Sequence, residues 1–344
     1  MPNIPNSLGY RLGLFNQSAE GTLPTTTANF ETPVWAEALA PTEDQQAFEV
    51  NDATNLRPGY YVKSAGWGGT VTMGAFRGSA ALPWIWLLGT DTPTGAGPYT
   101  HTVSTADPNN KWQTLWVSRP TFGGSTLVDK FEDGTVTSVE VVHEFGQPLK
   151  QVVEFVGKTV TTAGAFPTTI TNPETYSTGG VFLSAIGATL KMDVASTPAS
   201  TTVTNIISAS VKVMRATTLE QTGELTPRYR SQGLYTVAVS ATVELDSTTA
   251  QNYYRATFFG GVAGTVLSPV VVSGSLDFKW VEAPTVTGTN YLQLQVPAVV
   301  YEMMPQHFDA SGAPTHLTVT AMLDKPAAGA AITPIIGNTL ATYP

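Results

Sequence analysis

The chain has 344 residues, enough for one large or two medium β domains with a substantial core. Charged residues make up 12%, about half the usual ~25% share, so the polar surface must consist largely of Thr, Ser, Asn and Gln. The net charge of −9 excludes a surface that grips nucleic acid through Lys and Arg, though not one that nucleic acid slides past. The absence of cysteine excludes disulfides, thiolate metal sites and thiol catalysis.

Residues 1–60 are rich in Pro, Asn and Thr and show little periodicity. They read as an N-terminal arm, a short strand, and a long exposed excursion through PTEDQQAFEVNDATN (41–55). The opening MPNIPNSLGYRLGLFNQS has no charged segment followed by a long apolar one, so no signal peptide is expected. YYVKSAGWGGTVTMGAFRGS (60–79) reads as strand, turn and strand, with GWGG (66–69) as the turn. GWGG lacks the Lys and Ser/Thr of a phosphate loop. AALPWIWLLG (80–89) is the longest apolar run. It falls far short of the ~20 residues that span a membrane, and it reads as one or two helical turns closed by Gly89. Residues 90–110 are a Pro/Gly-rich loop.

From residue 134 the pattern strengthens. Thr137, Val139, Val141, His143 and Phe145 share one face of a strand, opposite Ser138, Glu140 and Glu144. Gly146-Gln147-Pro148 turns the chain into LKQVVEFVGK (149–158), which completes a hairpin. The Thr/Pro/Gly-rich run 159–180 reads as a connector, and 159–205 as a whole as a connector or insertion. IISASVKVMR (206–215) and GLYTVAVSATVELDS (233–247) form a second hairpin. In the latter, Tyr235, Val237, Val239, Ala241, Val243 and Leu245 face one way, and Thr236, Ala238, Ser240, Thr242, Glu244 and Asp246 the other. DSTTAQNYYRATFFGG predicts a helix near 247–259, capped by Asp246 or Ser247 and closed by Gly260. Strands at 275–282, 290–302 and 315–323 follow. The expected fold is mainly β: an antiparallel sandwich or partial barrel with one short helix.

No catalytic, cofactor-binding or metal-ligating constellation stands out. His101, His143, His307 and His316 are not spaced as metal ligands, and His143 on its apolar face reads as a satisfied buried imidazole. DKFED (129–133) groups Asp129, Glu132 and Asp133; a solvated loop explains it better than a calcium site or a glycosidase pair. Trp84, Trp86, Trp112 and Trp116 suit sugar stacking, yet in apolar segments they read better as core or contact residues.

The order of these motifs resembles that of the major tail proteins, or tail tube proteins, of long-tailed bacteriophages. Gln17-Ser18-Ala19-Glu20-Gly21-Thr22 stands where the family often has Glu-Ser-x-x-Gly-Thr. Thr32-Pro33-Val34, the close Leu87-Leu88-Gly89, the hairpin GTVTSVEVVHEFGQPLKQVVEFVGK (134–158), ASVKV, a Tyr-Tyr/Phe-Phe-Gly helix and Val296-Pro297 follow in order. The resemblance covers nearly the whole chain as a single protomer, with 61–158 and 206–344 as its two β units; 90–112 and 159–205 have no counterpart.

The resemblance implies protomers that form hexameric rings stacked into a hollow tube, their inner sheets closing edge to edge into one barrel. The partners it implies are other copies of the chain, a tape measure protein, a tail terminator, and baseplate or tip proteins. DNA passes through unbound, and no membrane is involved. The implied location is the virion, after assembly in the host cytoplasm. Strands 134–145, 149–157, 206–215 and 234–245 become candidates for the lumen, with Ser138, Glu140, Glu144, Ser240, Thr242 and Glu244 facing it. Glu43, Asp44, Phe48 and Asn51 in the 41–60 excursion become candidates for contact between rings. The alternatives are a secreted carbohydrate-binding or glycoside-acting β protein using Trp84 or Trp112, and an outer-membrane barrel, which needs more ten-residue strands.

Overall fold

The structure, a computed structural model, describes residues 10–48, 59–76, 78–105, 111–121, 125–173, 182–193, 199, 201–203, 206–220, 224–225, 227, 229–244, 248–261, 263–268, 271–282, 289–302, 316–323 and 330–343. The first strands are β1 (Arg11–Gln17), β2 (Thr27–Thr32), β3 (Val34–Glu37), β4 (Ala40–Phe48) and β5 (Gly59–Gly74). After α1 (Leu82–Leu88) come β6 (Gly89–Thr94), β7 (Tyr99–Thr105), β8 (Trp112–Pro120), β9 (Thr126–Glu144) and β10 (Lys150–Ala163). Then follow β11 (Thr169–Pro173), β12 (Leu183–Asp193), β13 (Thr201–Val203), β14 (Ile206–Glu220) and β15 (Tyr229–Glu244). The chain continues with α2 (Thr248–Phe259), β16 (Val272–Glu282), β17 (Tyr291–Tyr301), β18 (His316–Leu323) and β19 (Thr333–Asn338).

The strands hydrogen-bond into one branched, almost wholly antiparallel sheet that folds over itself as a sandwich. The central layer runs β4–β5–β10–β9–β14–β15–β18. A second layer, β13–β12–β16–β17–β19–β7–β6, covers its dry face. The layers are joined by β17–β18 pairing and by bridges from Pro148 to Ser184 and Phe76 to Phe182. Pro297 interrupts β17 without breaking it. It sits beside the bulge opposite Gly274 and Leu276, between the stretches that pair with β19 and with β18, where a missing N–H costs little.

A third group, β11–β2–β1–β8, attaches to the first half of β9 and carries a small second core around Ala28, Trp116 and Val128. The long strand β9 therefore pairs with β10 on one edge, and with β8 and then β14 on the other. The switch falls at Gly134, which lies opposite Gly157 of β10, itself opposite Trp67 of β5. The Trp67 indole lies across both glycines and donates from Nε1 to the Glu132 carbonyl at 2.8 Å. A Cβ on Gly157 would sit 2.1 Å from Cε2 of that ring.

Several expectations are corrected. GWGG lies inside the continuous strand β5, because its glycines admit neighbouring backbone, the Gly157 carbonyl at Gly66 and the Ala38 carbonyl at Gly69, rather than turning the chain. Residues 90–110 contain most of β6 and all of β7, and 159–205 contain the end of β10 with β11, β12 and β13; Thr-rich sequence favours strands even where Pro and Gly suggest a loop. Two helices are present among the described residues. In α1 all seven side chains are buried, Pro83 occupies its first turn, and the Gly89 N–H closes it onto the Ile85 carbonyl. The expected caps of α2 at 246–247 lie outside the described residues, and Gly260 ends that helix with a positive φ of 71°. Thr137 leaves the dry face at a bulge, so that Val136 is buried in its place. Phe145 lies beyond the end of β9 and is 71% exposed.

The Trp67 contact gives a direct test. Gly157→Ala should cost about 3 kcal/mol in chemical denaturation through overpacking. Gly164→Ala, where a Cβ meets nothing within 4 Å, should change stability by less than about 1 kcal/mol.

Candidate functional site

The register of the central layer sorts its side chains into two faces. On one face Val71, Val153, Val139, Val213 and Val237 are successive Cα partners across five strands, and all are buried. The next rows are Met73–Gln151–Val141–Val211–Val239–Ala321 and His143–Ala209–Ala241–Val319. This face meets the second layer, where the Trp280 Nε1–H donates to His143 Nδ1 at 2.8 Å.

The opposite face holds all six sequence-predicted residues. Ser138, Glu140 and Glu144 stand on β9 and Ser240, Thr242 and Glu244 on β15, with β14 between them. Their rows read Thr70–Glu154–Ser138–Met214–Thr236, Thr72–Val152–Glu140–Lys212–Ala238–Met322, Gly74–Lys150–Val142–Ser210–Ser240–Thr320 and Glu144–Ser208–Thr242–Thr318. Hydrogen bonds tie neighbouring strands: Ser138 Oγ donates to Glu154 at 3.0 Å, and Ser210 Oγ to Glu140 at 2.6 Å. Lys150 lies 3.6 Å from Glu144, and Lys212 stands directly opposite Glu140.

Among the described side chains of this face on β10, β9, β14 and β15, Glu140, Glu144, Glu154 and Glu244 outnumber Lys150 and Lys212. Each ammonium has a carboxylate beside or opposite it, so the face presents hydroxyls and net negative charge rather than a phosphate-binding track. Sequence reasoning missed Glu154, Lys150 and Lys212. The first two belong to LKQVVEFVGK, whose alternation is blurred because Val152 and Val156 join the polar side.

The predicted exposed excursion is a two-stranded arm: β4 pairs with the first half of β5, with Glu43 opposite Ala65 and Asp44 opposite Ser64. Asp44 lies 3.6 Å from Lys63, with both side chains well exposed, and the Phe48 backbone ends β4. Asn51 lies outside the described residues. The outer part of the β14–β15 hairpin forms a second arm, and the Ala65 N–H reaches the Leu225 carbonyl at 2.9 Å. Between the arms is a cleft of about 450 Å³ floored by Val156 and Gly157. Around the arms Tyr61, Val62 and Leu225 are exposed, and Leu234 is 88% exposed.

The central four predicted strands are contiguous, but their edges are not all open. β5 covers β10 along Lys150–Gly157, and β18 covers β15 along Ala238–Glu244. Among the described residues, β4 along its outer edge and β15 ahead of Ala238 have no further strand partner.

The remaining candidates resolve individually. Asp129, Glu132 and Asp133 lie within β9, not in a loop, and turn to different partners. Arg119 binds Asp129, Lys130 binds Glu132 at 2.8 Å, and Asp133 accepts from Gln17 Nε2 at 2.7 Å and the Gly21 N–H at 2.8 Å. Trp84 and Trp112, at 0% and 6% exposure, offer no face to a sugar. Among the described residues no group of three His, Asp or Glu side chains could hold a metal ion. His307 lies outside them. No protein-family model matches the chain, and no curated protein matches it.

Burial pushes the His143 imidazole down to about 4. The unfolded chain therefore binds this proton below about pH 6.5 while the folded one refuses it. Stability from this group is complete above that pH and declines toward pH 4, by about 3 kcal/mol in all. Urea titrations across pH 4–7 should show this slope in the wild type and a smaller one in His143→Gln. The two faces are tested by a pair on one strand. Val239→Asp buries an unpaired charge and should cost more than about 4 kcal/mol, whereas the exposed Ser240→Asp should stay within about 1 kcal/mol.

Proposed function

We propose that the protein is a self-assembling structural subunit whose hydroxyl-rich, acidic face lines a channel that nucleic acid passes through. The observation that carries this reading is the convergence of Ser138, Glu140, Glu144, Ser240, Thr242 and Glu244 on one face of a sheet in which, among the described residues, the outer edge of β4 and β15 ahead of Ala238 have no strand partner. The resemblance to phage tail tube proteins supplies the form: stacked rings, six protomers in each, in the tail of a virion.

In this assembly the lateral contacts fall on the β4 edge and on β15 ahead of Ala238, because β18 already occupies the edge of β15 from Ala238 to Glu244. The arms bearing Glu43, Asp44 and Phe48 extend toward the adjoining ring. The exposed Leu225 and Leu234 are the apolar surface that a neighbour covers. A channel lining needs no catalytic group, and its carboxylates keep phosphates from lodging.

Leu234→Asp tests the reading without touching the core. Purified wild type should form rings or tubes by electron microscopy and light scattering, while Leu234→Asp should keep its melting temperature and remain monomeric. A wild type that stays monomeric at every concentration, or a variant that assembles unchanged, would sink the proposal.

A further inference from the structure

His101 of β7 is 0% exposed, yet both of its ring nitrogens face acceptors. Nδ1 lies 2.8 Å from Asp91 Oδ2 on β6, and Nε2 lies 2.8 Å from the Leu340 carbonyl oxygen. A carbonyl oxygen has no proton to give, and neither does an ionised carboxylate, so both contacts are hydrogen bonds only when the ring carries two protons. The other Asp91 oxygen has no partner among the described residues, which leaves that carboxylate committed to His101.

The segment that His101 grips is itself a strap. The Leu340 N–H returns to Asn338 Oδ1 at 2.9 Å, and Asn338 Nδ2 donates to the Tyr343 hydroxyl at 2.5 Å. That hydroxyl donates to the Gly78 carbonyl at 2.8 Å, just ahead of α1. The Tyr343 ring meets His101 edge-on at 4.8 Å and stacks on Phe30 of β2 at 6.0 Å. Residues 338–343 thus tie β7, β2 and the turn before α1 together, with His101 as the central fastening.

We propose that His101 and Asp91 form a protonation-dependent latch that holds residues 338–343 down while the imidazole is charged and releases them when it loses a proton. Among the described residues the groups facing the ring are Asp91 from β6, Asn338 and the Leu340 carbonyl at the end of β19, and the Tyr343 ring. Of these Asp91 is the charged one and Tyr343 the other titratable one. α1, which packs on β6 and β7, brings apolar side chains and the Trp84 indole. Loss of the proton leaves a lone pair facing either the carboxylate or the carbonyl, in a site that admits no water to mend it.

Burial opposes the charged ring, but the hydrogen bonds to Asp91, Leu340 and Asn338 and the Asp91 charge outweigh it, so the His101 pKa is raised. The latch is therefore complete below about pH 6.5, weakens by up to tenfold per pH unit from there to the raised value, and is constant beyond. Release uncovers Phe30 and the His101 edge of β7.

Hydrogen exchange on the full chain tests this at the Leu340 amide. After correction for intrinsic exchange, wild-type protection should fall as pH rises from 6.5 to 9. Asp91→Asn can donate from its amide to a neutral His101 while Nε2–H still donates to Leu340, so it should remove the pH dependence and keep the protection. A flat wild-type profile, or the same slope in Asp91→Asn, would overturn the latch. Should that variant fail to fold, ¹⁵N shifts of the wild-type imidazole decide the question. Two protonated ring nitrogens at pH 6 support the latch, and a neutral ring from pH 5 to 9 refutes it.

Discussion

Where β9 changes partner, the sheet must bend and still keep its core filled, and the Trp67 ring over Gly134 and Gly157 meets both demands. The two glycines are opposite each other in the β9–β10 ladder, and Trp67 is the next residue across in β5. With no side chains beneath it, the indole lies flat on the backbone, and its Nε1–H satisfies the Glu132 carbonyl. Phe131 meets it edge-on at 5.2 Å and Phe155 lies 6.4 Å away. On one side of this point β9 belongs with β8, and on the other with β14. A single sheet can thus serve two cores, and both layers inherit their position from this contact.

The polar face follows from that arrangement. Once the valine row through Val139 and Val213 is buried against the second layer, strand alternation leaves the other side chains of β9, β14 and β15 no choice of face. Buried histidine reinforces the same geometry. His143 stays neutral because it accepts from Trp280 in a dry interior, while His101 is held charged by a carboxylate and a carbonyl. The two residues push stability in opposite directions with pH, so the folded protein is best satisfied near and just below neutrality.

The central hairpins were legible because alternation there is nearly unbroken, and from Tyr235 to Glu244 in β15 the two faces fall as the pattern says. Legibility failed where one residue type serves two purposes. Glycine in GWGG marks a close approach rather than a turn, and Thr-rich runs such as TITNP (169–173) pair as strands. Thr137 and Phe145 were misplaced by a bulge and by a strand end, which single-residue patterns do not reveal. Of the candidate site, the face itself was readable on β9 and β15. Lys212 and Glu154 were not, since their importance comes from cross-strand neighbours 70 or more residues away or blurred by outward-facing valines.

The open strands bear on assembly by an argument independent of resemblance. An exposed strand edge templates pairing with any other strand, and soluble proteins usually blunt such edges with Lys, Pro or a short length. The outer edge of β4 runs for nine residues, Ala40–Phe48, with one Pro and two acidic residues. β15 runs ahead of Ala238 beside Leu234, which is almost fully exposed. With a charged fraction of 12%, charge repulsion protects these edges poorly. On the proposed reading these edges close on copies of the chain in a defined geometry rather than aggregating without limit. The ordered hydroxyl and carboxylate rows on the sheet's polar face support that reading. Their cross-strand hydrogen bonds hold that face in one register, and only a fixed register lets successive copies add at a constant angle and close.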